Sequence, residues 1–171
     1  MKPSIFIGLC LLPGCLLASE ARQAPAKADK PMSTHVMVRA AETKWGDAPA
    51  ALPAGAQAVV LSGDPGKPGN FILRLKAPAG YRVPRHWHPS DENVTIIEGN
   101  VTLSMGNAAD AHSVDFGPGD FVSLPAKMLH EASTRNGVTV QIQSTGPFEI
   151  HYVNPADDPR KQMGADKKAG K

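Results

Sequence analysis

Apolar and polar residues alternate through much of the middle of the chain. Val101, Leu103 and Met105 are separated by Thr102 and Ser104, and Val138, Val140 and Ile142 by Thr139 and Gln141. A period of two sends successive side chains to opposite faces of a strand. This pattern, with β-branched and aromatic content, predicts strands over residues 56–61, 70–76, 94–97, 101–105, 112–116, 121–124, 138–143 and 148–153. Turn signals separate them: Gly63-Asp64-Pro65-Gly66, Glu98-Gly99-Asn100, Gly117-Pro118-Gly119-Asp120, Asn136-Gly137 and Gly146-Pro147. No stretch has a dozen residues of amphipathic helical period. Many short strands joined by hairpin turns predict an all-β sandwich or barrel. Alternation leaves one question open. Either Val138, Val140 and Ile142 or Thr139, Gln141 and Gln143 face the interior, and the choice decides how polar that interior is.

The flanks lack this pattern. Lys2 is followed by an apolar run from Ile5 to Leu17, and Ser19-Glu20-Ala21 supplies small residues where a signal peptidase reads. Residues 1–21 are therefore expected to be a secretory signal peptide, with an apolar run too short to span a bilayer. The expected location is periplasmic or secreted. Leu12-Pro13-Gly14-Cys15 loosely resembles a lipoprotein signal, so a lipid anchor at Cys15 is the alternative; Pro13 and the apolar Leu16-Leu17 favour cleavage near Ala21 instead. Both cysteines, Cys10 and Cys15, fall in this leader, which leaves the remainder without a disulfide or a thiolate site. Residues 22–55 read as a linker and N-terminal arm, residues 56–153 as the barrel, and residues 154–171 as a flexible basic tail.

Composition narrows the class. Gly and Pro make up 32 of 171 residues, which argues against a helix bundle. The net charge is +2, and once leader and tail are set aside 12 basic and 12 acidic residues remain. A neutral body has no electrostatic footprint for nucleic acid.

The chemistry concentrates in residues 80–92. His86 and His88, two apart on a strand, share a face and can converge on one ion. Glu92 follows four residues later, beyond a kink at Pro89, and can return a carboxylate to the same centre. His130 stands at the start of another strand. Three imidazoles and one carboxylate leave coordination positions open and suit Fe, Mn, Ni or Zn better than Ca or Mg. A His-x-His pair alone is commonly a surface pair. Glu92 and the late histidine in a turn-rich β chain favour the metal reading.

These residues resemble the cupin superfamily. Its first motif, G(X)5HXH(X)3E(X)6G, is matched at Gly80, His86, His88, Glu92 and Gly99. Its second, G(X)5PXG(X)2H(X)3N, is met at Gly119, Pro125 and His130 and departs at Lys127 and Thr134, where glycine and asparagine are usual. The resemblance implies a double-stranded β-helix (jelly-roll) barrel with one divalent transition metal held inside by His86, His88, Glu92 and His130. It also implies a small-molecule substrate or ligand and a homodimer paired through a sheet edge. Glu92, released from the metal, could act as general base. The expected function is a metal-dependent enzyme of dioxygenase type, with a non-redox isomerase or lyase, or a non-catalytic metal- or ligand-binding cupin, as alternatives. Fold resemblance by itself assigns no reaction.

Other residues take plainer roles. Trp87, between the ligands, should face away from them. By the same alternation Tyr81 and Arg85 share its outward parity. Asp91 reads as a turn residue or as a carboxylate orienting a histidine, Met105 and Met128 as core filler, and His35, His112 and His151 as ordinary surface or partly buried histidines.

Overall fold

The computed structural model describes residues 35–107 and 110–161. The expected signal peptide, both cysteines and the end of the tail lie outside the described residues. The described residues form eleven strands: β1 (Gly46–Asp47), β2 (Gln57–Ser62), β3 (Gly69–Ala77), β4 (Arg82–Trp87), β5 (Glu92–Gly99), β6 (Val101–Met105), β7 (His112–Phe116), β8 (Phe121–Leu124), β9 (His130–Ser133), β10 (Val138–Gly146) and β11 (His151–Tyr152). Two 3-10 turns, Ala40–Glu42 and Pro155–Asp157, complete the elements. Among the described residues no helix is long and apolar enough to cross a membrane.

The strands make two antiparallel sheets, β1-β2-β3-β10-β5-β8 and β11-β4-β9-β6-β7. Of the nine strand pairings among the described residues, six join strands that are not consecutive in the sequence, which is the jelly-roll connectivity expected from the resemblance. The inward faces of both sheets supply the core. Phe71, Ile96 and Leu124 are its most buried large side chains. On β10 the apolar set, Val138, Val140 and Ile142, turns inward and is buried. Burial of aliphatic surface settles the parity that alternation left open.

Straight alternation fails on β4. Its register with β9 shifts between Val83 and His86, so the strand carries one extra residue there. A bulge flips the parity on one side of it. Tyr81 and Val83 therefore point inward along with His86 and His88, and Tyr81 is buried at 8 % exposure rather than outward. Trp87 does face away, where it stacks on His151 with centroids 4.2 Å apart.

Two turns need left-handed backbone. Gly99, which closes the first motif, has φ +74°, and a Cβ there would run into the carbonyl oxygen of Gly137. Lys127 sits at φ 65° without being glycine. Its amide donates to the carbonyl of His88 at 2.8 Å. The departure from the motif at this position thus preserves the turn and accepts its steric cost.

The arm and the tail also meet the barrel. The Tyr81 hydroxyl donates to the Pro53 carbonyl (2.6 Å) and the Tyr152 hydroxyl to that of Ala51 (2.7 Å). The Arg160 guanidinium reaches the Ile150 carbonyl at 3.1 Å and pairs with Asp158.

Candidate metal centre

Three strands and one turn bring the predicted residues together. His86 and His130 are cross-strand partners in the β4–β9 ladder, and their ring centroids lie 4.2 Å apart. His88 follows β4 directly, and Glu92 opens β5. One ligand nitrogen from each of His86, His88 and His130 falls within 4.8 Å of the others, so the three could hold one metal ion. Glu92 Oε2 lies 3.3 Å from His130 Nε2 and 3.5 Å from His88 Nε2. All four residues are buried.

The orientation of each ring is set by main chain. His86 Nδ1 lies 2.7 Å from the Pro84 carbonyl, His130 Nδ1 3.1 Å from the Met128 carbonyl and His88 Nδ1 2.7 Å from the Glu149 carbonyl. A carbonyl only accepts, so each Nδ1 carries the proton and donates. Each neutral ring then presents Nε2 as a lone pair. This is the arrangement that metal-ligating histidines use to lock tautomer and angle. His88 is clamped further by Phe148, which stacks on it at 4.3 Å and 12° and itself meets Phe71 edge-on at 5.2 Å.

The electrostatics agree. Burial, with His130 and His88 close by, pushes the His86 pKa down to about 3. Burial lowers that of His88 as well, against the opposing pull of Glu92. For Glu92 burial acts to raise the pKa, but the close approach of His130, His88 and His86 outweighs it and holds the carboxyl below its usual range. Near neutrality His86 and His88 thus stand as neutral imidazoles beside a buried carboxylate. Two lone pairs and an anion directed at one another repel unless a cation stands among them. The donor set therefore fits a divalent transition metal.

The turns that position the ligands are tied together. Asp91 Oδ1 accepts from the Ala126 amide at 2.8 Å, and the Asp91 carbonyl accepts from Ser144 Oγ at 2.6 Å. Asp91 is therefore a turn brace between the β4–β5 and β8–β9 connections and orients no histidine through its carboxylate. Thr134, where the motif has asparagine, accepts the Gly137 amide at 3.0 Å and closes the β9–β10 turn. His35 and His112 are exposed, and His151 pairs with Glu149 at 2.9 Å; none joins the cluster.

The cluster opens on a cavity of about 170 Å³ between the two sheets. Its wall is chiefly aliphatic, with Leu73, Val94, Leu103, Val140 and Ile142 among the residues that form it. Pro49, Ala51 and Leu52 of the arm also line it. The tyrosine hydroxyls that latch this arm, Phe148 and the carbonyl of Glu149 escape sequence reasoning. Only the apolar character of Phe148, next to a turn, offered any signal.

Comparison with known proteins extends this picture. Three solved structures share the architecture. The polyketide cyclase RemF from Streptomyces resistomycificus has a TM-score of 0.62 at 16% identity, over 77% of this chain and 94% of that one. The DMSP lyase DddQ from Ruegeria pomeroyi DSS-3 has a TM-score of 0.55 at 19% identity, over 70% and 72%. An RmlC-like cupin from Shewanella frigidimarina NCIMB 400 has a TM-score of 0.52 at 15% identity, over 66% and 91%. At these identities the likeness establishes the cupin fold. No curated protein matches the sequence. A family model described as "Domain of unknown function (DUF4437)" matches residues 14–151. This cupin-fold chain accordingly belongs to the DUF4437 family.

Proposed function

We propose that the protein is a metal-dependent cupin enzyme acting on a small organic substrate, with His86, His88, His130 and Glu92 holding one divalent transition metal. The observation that carries this reading is the tautomer lock: three Nδ1 atoms committed to backbone carbonyls and three Nε2 lone pairs converging beside a buried carboxylate. A bound Fe, Mn, Ni or Zn would supply a Lewis-acidic centre of about one net positive charge, and iron would add redox chemistry. The chain's own contribution is to orient the ligands, exclude water with the aliphatic wall and keep Glu92 ionised. Among the described residues Glu92 is the one carboxylate in the cavity wall and the group placed to take a proton from a bound substrate.

Dioxygenase-type chemistry is the first reading. A non-redox reaction is the second, favoured by structural neighbours named as a polyketide cyclase and as DMSP lyases. The leader at residues 1–21 directs the protein to the periplasm or the exterior in either case, and pairing through a sheet edge makes it a homodimer.

Metal analysis of the mature chain purified from its native host is the test. About one equivalent is expected, falling at least roughly tenfold in affinity in His130→Ala. Equal metal in wild type and variant would sink the site. Oxygen uptake with the Fe(II) protein supports the first reading, and turnover by the Zn(II) protein under argon supports the second.

A further inference from the structure

The wall of the cavity limits what the centre can accept. Apart from His86, His88, Glu92 and His130, the polar side chains along it are Tyr81, Ser133 and Thr134. Tyr81 donates its hydroxyl to Pro53, and Thr134 uses its own to accept from Gly137. Among the described residues no lysine, arginine, aspartate, asparagine or glutamine lines the cavity. A polyol would therefore lose hydrogen bonds to water there without replacement. A second anionic group, such as a phosphate or another carboxylate, would find no countercharge.

Size narrows the class further. A dry apolar cavity of about 150 Å³ holds a benzene ring, and this one measures about 170 Å³. One six-membered ring with a short substituent, or a branched chain of similar volume, fills it. Among the described residues its carboxylate and its imidazoles all belong to the histidine cluster, so a ligand has one place to put an ionised head.

We propose that the cavity takes a compact, largely hydrocarbon molecule with a single ionisable oxygen function. The oxygen meets the His86–His88–His130 cluster, and the hydrocarbon body packs against Leu103, Val140 and Ile142. This class rests on the proposed metal site for the oxygen contact, whereas the apolar contact depends on the barrel alone. Val140 and Ile142 are then specificity-determining, because they set the depth available to the body.

Calorimetric titration of the mature full-length protein tests the class with three probes: 4-methylphenol, toluene and glycerol. Each is titrated into protein loaded with Zn(II) and into protein stripped with chelator. The expected result is binding of 4-methylphenol to the loaded protein, weaker binding of toluene to both forms and none of glycerol. Val140→Phe fills the cavity and should weaken 4-methylphenol by roughly tenfold or more with metal content unchanged. Val140→Leu adds less volume at the same position and serves if Val140→Phe does not fold. Equal binding of glycerol and 4-methylphenol, no binding of either aromatic probe, or unaltered 4-methylphenol affinity in a folded variant would overturn the class. Failure of the underlying reading looks different: no zinc is retained, toluene still binds, and the two aromatic probes become indistinguishable. That pattern removes the oxygen contact and overturns the proposal in its stated form.

Discussion

Glu92→Gln separates the demand for a cation from ordinary packing, because its effect should change sign with metal. In the stripped protein the Glu92 carboxylate faces Nε2 of His130 at 3.3 Å and of His88 at 3.5 Å. With both rings protonated on Nδ1, all three groups are acceptors. Glutamine keeps the shape, removes a buried charge whose effective penalty is on the order of several kcal/mol, and brings two N–H donors. Two new bonds at about 1 kcal/mol each give about 2 kcal/mol as a conservative net stabilisation. At about 4 °C per kcal/mol for a body of this size, the stripped variant should melt about 8 °C above wild type.

The loaded protein should respond in the opposite direction. Loss of a neighbour that merely orients a ligand already costs about 10–100-fold in metal affinity, so loss of the carboxylate should cost about 100-fold or more. At a fixed excess of zinc the stabilisation conferred by metal then shrinks by about 2.7 kcal/mol, about 11 °C on the same scale. The assay is calorimetric melting at pH 8, with chelator and with saturating zinc. A stripped variant that melts at or below wild type would refute the reasoning. It would mean that His130 or His88 carries an Nε2 proton toward Glu92, as an ion pair, and that the carbonyl-set tautomers are wrong.

Three further outcomes follow from the geometry. Lys127→Gly relieves a left-handed backbone costing about 1–2 kcal/mol and loses about 0.5–1 kcal/mol to glycine's chain entropy; a stabilisation of about 0.5 kcal/mol is expected in urea unfolding, and destabilisation would contradict the strain. Tyr152→Phe removes the latch to Ala51 at a cost of about 1 kcal/mol, and amide exchange should accelerate in residues 48–55 while metal content stays constant. The metal-free protein should also be acid-labile: His86 stays neutral down to about 3 when folded, while its unfolded form protonates near 6.5, so the unfolded state binds more protons across that window. Stability then falls with pH by up to about 1.4 kcal/mol per unit from this residue, with His88 acting in the same direction; a flat urea midpoint between pH 7 and 4 would contradict it.

The site was legible where its logic is local. His86 and His88 share a face because two residues separate them, and Glu92 and His130 arrive at motif spacing. Features that depend on two distant segments were not legible. The bulge between Val83 and His86 exists only in the register with β9, so parity counted back from His86 put Tyr81 on the wrong face. The parity of β10 followed from aliphatic burial against both neighbouring strands, whereas its own alternation offered two equal faces. The orienting partners of the histidines left no trace because they are carbonyls of Pro84, Met128 and Glu149, and every residue type has one. Residues 49–53 lack any period, yet Pro49, Ala51 and Leu52 line the cavity, because two tyrosine hydroxyls bond the Ala51 and Pro53 carbonyls.

The aliphatic wall and the histidine cluster act as one device. Water around Glu92 would screen its charge and hydrogen-bond the three Nε2 lone pairs, and the cluster would then have little need of a cation. Leu73, Val94, Leu103, Val140 and Ile142 offer that water no hydrogen-bond partners. In the lower dielectric the same carboxylate attracts a dication several-fold more strongly than at the surface. The carbonyls that lock the rings add to this, because they hold the Nδ1 protons and leave nothing to protonate Nε2 internally. The side chains that make the cavity a poor host for polyols are thus the ones that make its centre a strong host for a metal. A polar substitution such as Val140→Thr should loosen both properties together, since each depends on the same exclusion of water.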